Sequence, residues 1–229
     1  MKGTQIAPNE AAGLSPYFKT KFGHLPLGDI SQKEILKEIA KAVPYQPNPT
    51  QVKTQNALKY DEDDLATAFK KIKKDTLSRR RQDFQFFKLI SGIIYANSAY
   101  HRMGFKNSSK CNFCDEEYQN FIHLYINCEE IKKFRKLISA EWEGEEMTEK
   151  RWILGVSSSQ GILEKTKNYI AKEINYFIFK MNWADKNLSV EAFKNLVYAE
   201  KDPEEALAQK LRKDFDFQEK WEFIKALLK

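Results

Sequence analysis

The feature that most constrains this chain is Cys111-Asn-Phe-Cys114 followed by His123 and Cys128, a C-x2-C-x8-H-x4-C pattern that uses every cysteine present. Two thiolates on a tight turn, completed by an imidazole and a third thiolate, are the donor set of a tetrahedral Zn2+ site. Four protein ligands leave no open position for water or substrate, so the expected metal is structural. His123 and Cys128 stand five residues apart, about one and a half α-helical turns. The second ligand pair therefore belongs at a helix start or in an irregular turn. Three small core cysteines beside a chance histidine would be the plainer reading, but no cysteine lies anywhere else.

Around that cluster the apolar pattern is helical, and the expected fold is mainly α, a helical domain built around a Cys-Cys-His-Cys zinc knuckle with an extended N-terminal arm. Six of the seven prolines precede residue 50, which marks residues 1–50 as a Pro/Gly-rich arm. Within it Ser31 to Glu34 reads as a capping box for one short helix over Ile35, Leu36, Ile39 and Val43. No strand pair with a hairpin turn is expected. Residues 51–143 should carry basic helices and the knuckle, and residues 144–229 a C-terminal helical region.

Asp61 to Asp64 sits before Leu65, Phe69 and Ile72, where acid favours a helix N-terminus. These carboxylates are not read as a polymerase turn, which would need a hairpin and an upstream strand aspartate. One long helix is expected from Leu77 to Met103, weakening at Asn97 and ended by Gly104 as the residue after its cap. Another runs from Glu129 to Trp142. A third has Ile162, Tyr169, Ile170, Ile174, Phe177 and Ile178 on one face, behind a Ser158 or Ser159 cap. Ser189 caps the next. Asp202-Pro203 opens a single last helix through Leu211 to Leu228.

The net charge is +6, falling to roughly +5 once three thiolates and one Zn2+ are included. Its distribution matters more than its size. Between Lys70 and Lys88 eight basic residues face two acids: Lys70, Lys71, Lys73, Lys74, Arg79, Arg80, Arg81 and Lys88 against Asp75 and Asp83. Consecutive arginines fan over most of a helical turn and can meet several phosphates without reading bases. Lys106 and Lys110 flank the knuckle, and Lys132, Lys133, Arg135 and Lys136 follow it; Tyr95, Tyr100 and Phe113 offer stacking surfaces nearby. For any single lysine an ordinary solvated helix face is the simpler account. His24 and His101 have no evident catalytic partners.

Three landmarks in order carry a family resemblance: Arg81-Gln-Asp-Phe84-Gln-Phe-Phe-Lys88-Leu-Ile, Tyr100-His-Arg-Met-Gly104-Phe, and the Cys/Cys/His/Cys cluster. With Arg151-Trp-Ile-Leu-Gly155-Val, Lys165 to Ile170, and Leu188-Ser189 with Phe193, they resemble the zinc-binding region that follows the polymerase domain in non-LTR (LINE-type) retrotransposon reverse transcriptases. The likeness covers roughly residues 75–200. It implies a module that holds nucleic acid beside a polymerase, here without palm motif or endonuclease carboxylates.

The expectation is therefore a non-catalytic, zinc-stabilised DNA- or RNA-binding protein making mostly backbone contacts. The alternative is a docking or accessory subunit of a larger nuclear nucleic-acid-modifying complex, with protein partners in that assembly. No carboxylate pair, activated nucleophile or phosphate-cradling glycine loop suggests an enzyme. Cysteines committed to metal point to a reducing compartment, nuclear or cytoplasmic, and no segment is apolar enough to span a membrane.

Overall fold

The computed structural model describes residues 17–20, 23–26, 49–75, 79–84, 96–140, 142, 147–155 and 161–228. Two units are present, Met1–Pro47 and Asn48–Lys229, so the composition change near residue 50 coincides with a structural division. In the first unit, β1 (Tyr17–Thr20) and β2 (Gly23–Pro26) pair antiparallel, with Phe18 opposite Leu25 and Thr20 opposite Gly23. This hairpin corrects the expectation of no strand pair. Lys21-Phe22 between the strands carries none of the Asn-Gly or Asp-Gly chemistry by which tight hairpins are recognised. The helix expected over 31–43 lies outside the described residues.

The second unit is helical: α1 (Pro49–Leu58), α2 (Glu62–Asp75), α3 (Arg79–Asp83), α4 (Asn97–Arg102), a π-helical turn (His123–Asn127), α5 (Glu129–Ile138), α6 (Glu149–Leu154), α7 (Ile162–Trp183), α8 (Val190–Tyr198), α9 (Lys201–Lys210) and α10 (Asp214–Leu227). The acidic run caps α2 as expected. Asp64 N–H donates to Asp61 Oδ1 at 2.8 Å and Asp61 N–H to Asp64 Oδ2 at 3.1 Å, a reciprocal box closing two orphan donors.

The unit is organised by α7, about 33 Å long at the α-helical rise, against which α2, α3, α6, α8 and α10 pack. The sequence shows one apolar face, yet α7 is buried on every side from Thr166 to Ile178. Several of its enclosed polar residues have partners. Glu173 meets Arg81 at 3.0 Å, Glu164 pairs with Arg151 and with Lys167, and Asn175 donates to Trp152 O at 2.7 Å. Phe134 of α5 and Phe193 of α8 lie 5.7 and 5.6 Å from Phe177 by ring centroid. Residues 51–143 and 144–228 thus contribute to one core, not two.

Several helix boundaries differ from expectation: α5 ends at Ile138, not Trp142, and the N-cap of α7 is Gly161, with Ser158 and Ser159 outside the described residues. Ala96 is extended (φ −94°, ψ 176°) and precedes α4, so no continuous helix runs from Leu77 to Met103. The chain turns there because Asn97 is spent on side-chain hydrogen bonds to the metal loop. The last helix is also two. Arg212 adopts φ 56°, with Arg212 N–H on Gln209 O and Lys213 N–H on Ala208 O. That is a Schellman stop built without glycine, which composition does not reveal. The Pro203 helix begins earlier than expected, with Lys201 as its first residue. Ser189 does cap α8, accepting from Ala192 N–H at 3.3 Å.

Gly155 ends α6 at φ 63° with its N–H on Arg151 O. A β-carbon there would lie 3.3 Å from Lys172 Cε. Gly155→Ala should therefore destabilise the unit by about 1–2 kcal/mol through left-handed strain alone. Chemical denaturation of the two proteins checks this, and equal midpoints would contradict it.

Candidate metal centre

The loop that bears the ligands is anchored from both ends before any ligand is considered. At its start α4 closes with a Schellman motif: Gly104 (φ 77°) donates to His101 O and Phe105 N–H to Tyr100 O at 2.9 Å. The expected stop at Gly104 is present. Cys111 N–H donates to Glu116 O at 2.9 Å, and Gln119 N–H to Ser109 O at 2.8 Å, folding the segment back on itself. Cys111 and Cys114 lie on the turn so formed.

The second pair depends on the π turn. Five residues along an α-helix rotate a side chain about 500°, leaving positions i and i+5 about 140° apart. A π turn, with an i→i+5 bond, brings them to one side. Cys128 N–H donates to His123 O at 2.8 Å, and Cys128 is then the N-cap of α5. The irregular turn expected from the x4 spacing is this one.

Cys111 Sγ, Cys114 Sγ, His123 and Cys128 Sγ present ligand atoms that all lie within 4.8 Å of one another. Cys111 Sγ is 3.9 Å from Cys128 Sγ, and Cys114 Sγ is 3.3 Å from His123 Nε2. The cluster could hold a metal ion. Two N–H donors aim at Cys111 sulfur, from Gln119 Nε2 at 3.2 Å and Phe113 N at 3.4 Å. The hydrogen bond from Cys128 and these donors hold the Cys111 thiol down to about 4, whereas Cys128, giving that bond, is pushed up. The thiol most readily ionised is thus the one that these N–H donors face.

A polar relay that the sequence does not advertise sets this geometry. Gln119, fully buried, accepts from Asn97 N–H at 3.0 Å while donating to Cys111 sulfur. Asn97 Nδ2 donates to Lys110 O and to Asn112 Oδ1, both at 2.7 Å. Asn112 Nδ2 in turn reaches Asn182 O at 2.9 Å, at the end of α7. From the other side Arg135 of α5, 1% exposed, donates to Tyr125 O at 2.8 Å, Asn175 Oδ1 at 2.9 Å and Glu149 at 2.8 Å. Tyr125 lies inside the π turn, so Arg135 ties the ligand-bearing turn to α6 and α7. Its placement at an expected surface position is visible only in three dimensions.

The basic residues divide sharply. Arg81 is 4% exposed, its guanidinium 3.0 Å from Glu173 and 2.8 Å from Glu200 and 3.6 Å above the Tyr176 ring. It is a core ion pair rather than a phosphate contact. Three consecutive arginines span about 200° of a helix, so one of them had to turn toward α7. Lys106 is likewise a strap: its Nζ donates to Asn182 O at 2.7 Å and pairs with Asp185 at 2.5 Å. Lys110, Lys132 and Lys133 are at or near the surface, paired with Glu117, Glu129 and Glu130 at 2.7, 2.8 and 2.7 Å. Lys70 is exposed and Lys71 half-buried. The side chains of Lys73, Lys74, Arg79 and Arg80 lie outside the described residues, as does Tyr95. Tyr100 is buried against Trp183, Phe113 is half-buried, and His101 Nδ1 lies 3.0 Å from Lys106 O. No helix among the described residues is long and apolar enough to cross a membrane.

No family model, curated protein or solved structure matches this chain.

Proposed function

We propose that the chain is a non-catalytic, zinc-stabilised nucleic-acid-binding module, akin to the zinc-binding region that follows the polymerase in LINE-type reverse transcriptases. The observation that carries the proposal is the assembled Cys111, Cys114, His123, Cys128 cage. Regular tetrahedral Zn2+ with sulfur at 2.3 Å and nitrogen near 2.05 Å needs edges of about 3.8 Å between sulfurs and about 3.6 Å between sulfur and nitrogen. Two of the six edges, 3.9 Å between sulfurs and 3.3 Å between sulfur and nitrogen, lie near those values, and all six are within 4.8 Å. Bound there, zinc supplies a cross-link between the metal loop and the start of α5, and no reactive position.

Nucleic-acid contact rests on the charge of the segment from Lys70 to Lys88, less Arg81. Its backbone contacts would be electrostatic, positioning a strand without reading it. Arg79→Gln with Arg80→Gln should weaken DNA and RNA alike and reduce the salt slope by about two counterions, since each phosphate contact releases roughly one. Adding Gln at Lys70, Lys71, Lys73 and Lys74 should abolish most of what remains. Anisotropy titrations over a salt series read both quantities. Unchanged affinity and slope in the six-fold variant would overturn the assignment of this face.

A second reading, an accessory subunit docked in a larger nuclear assembly, is favoured by one observation. A groove of about 350 Å³ beside the metal loop is lined by Phe113, Phe134, Leu137, Leu188 and Val190, and Leu137 at its edge is 67% exposed. Copurification from native extract tests it.

A further inference from the structure

Resting on the nucleic-acid reading, and deepening it, we propose that Trp183 and Phe105 form a stacking platform for the bases of a single strand. Phe105 is 70% exposed, Trp183 55% and Met103 42%, an outlay of apolar surface that a folded core would normally recover. Met103 and Phe105 follow the end of α4 and Trp183 ends α7, the two ends being joined through Tyr100. The Trp183 ring meets the buried Tyr100 ring edge-on at 4.9 Å between centroids, and Phe105 N–H is bonded to Tyr100 O. The platform is therefore held on a rigid base. Lys106 pins it from below, reaching Asn182 O one residue before Trp183.

Charge selects the occupant. Arg102 beside Met103, Lys180 one turn before Trp183 on α7, and Lys186 just after it are exposed, and none makes an ion pair among the described residues. The local acid, Asp185, is already neutralised by Lys106 and accepts from Asn112 Nδ2 at 2.7 Å. Exposed aromatic side chains with exposed cations at neighbouring positions are what a polyanion with planar bases requires, and what an acidic or purely apolar surface would not use. A duplex keeps its base faces covered, so the platform distinguishes single strands from double. The basic segment, by contrast, would take either.

The test uses the metal-loaded full chain with oligo(dT), oligo(U) and a duplex of equal length. Trp183→Leu keeps an apolar side chain but removes the ring; Trp183→Phe keeps a ring. Expected is a loss of about fivefold to a hundredfold in single-strand affinity for Trp183→Leu, with most of it restored in Trp183→Phe and duplex affinity unchanged. Trp183 is the one exposed tryptophan among the described residues, so oligonucleotide binding should also quench fluorescence that Trp183→Leu lacks. Metal content should match the parent, and melting should fall only modestly in Trp183→Leu, by the lost edge-on contact with Tyr100, which Trp183→Phe largely keeps. If the parent binds single strands and Trp183→Leu binds them equally, the platform is overturned while nucleic-acid binding stands. If the parent binds neither strand nor duplex, both readings fall. Loss of self-association in Trp183→Leu with oligonucleotide affinity intact would assign the patch to a second copy and overturn the platform.

Discussion

Cys114→Ser should take the metal content from one equivalent to near zero and loosen everything between Gly104 and α5. The reason is linkage. A structural zinc site contributes apparent binding free energy of about 10–16 kcal/mol in small zinc peptides at neutral pH, and that energy is also folding energy. Here the ligand-bearing segment has little regular structure of its own: a short α4, a looped stretch and one π turn. The rest of the unit packs on α7 through the larger part of the apolar core, to which the ligand-bearing segment adds only Phe121, Leu124, Tyr125 and Ile126 besides its ligands. The expected result is therefore partial. Amide protons of residues 105–128 should exchange quickly in Cys114→Ser or after chelation, while those of α7 and α8 keep their protection. Acid should mimic the mutation, since each thiolate and the imidazole must lose or lack a proton to bind metal. Elemental analysis together with hydrogen exchange decides the matter. Metal retained in Cys114→Ser, or a parent protein purified with well under half an equivalent, would contradict the four-ligand site.

The second large effect is expected at Arg135. Its guanidinium is buried and makes three hydrogen bonds, to Tyr125 O, Asn175 Oδ1 and the Glu149 carboxylate. Burial draws the arginine down to about 10, the cost of taking its charge out of water, while the Glu149 side chain stays 35% exposed. Once that cost is met, removing the arginine leaves its buried acceptors unpaired. Arg135→Met keeps much of the side-chain volume but strands a buried carbonyl and a buried amide oxygen, at about 2–4 kcal/mol. Because Tyr125 O belongs to the turn between His123 and Cys128, metal affinity should fall as well, by about 10- to 100-fold. Chemical denaturation with saturating zinc, and competition with a chelating dye, measure the two. A variant with parental stability would show that the guanidinium contacts are not what holds the turn. The same mutation at neighbouring Lys136, an exposed residue, should change neither quantity.

How much was legible follows from how local each feature is. The ligand set needs only residue types and spacing, and its four members converge as the spacing implied. Caps are equally local: Asp61, Ser189 and Gly104 act where their chemistry suggests, because each satisfies backbone groups within a few residues. The reading failed where a residue's partner is far along the chain. Arg81 was placed with a solvent-facing basic run because Glu173 and Glu200 are distant in sequence. Lys106 looked free because Asp185 is distant too. The long helix expected through Asn97 was broken by hydrogen bonds to Gln119, Lys110 and Asn112, none of which has a helical period. The stop at Arg212 used a left-handed residue that is not glycine, so nothing in the composition announced it.

By itself, then, the sequence determined that the chain is mainly helical, that its N-terminal stretch is set apart, and that four side chains form a cluster that could hold a metal ion. These depend on periodicity, proline and ligand chemistry, which act within a few residues. Only the tertiary structure decided which charges are inside. A charged side chain enters a core only when a specific opposite group arrives with it, since burial unpaired costs several kcal/mol. That arrival is set by how α3, α5, α9 and α10 dock on α7, not by any local pattern. The same docking left Trp183 and Phe105 in solvent, although both would pass in a sequence for core residues.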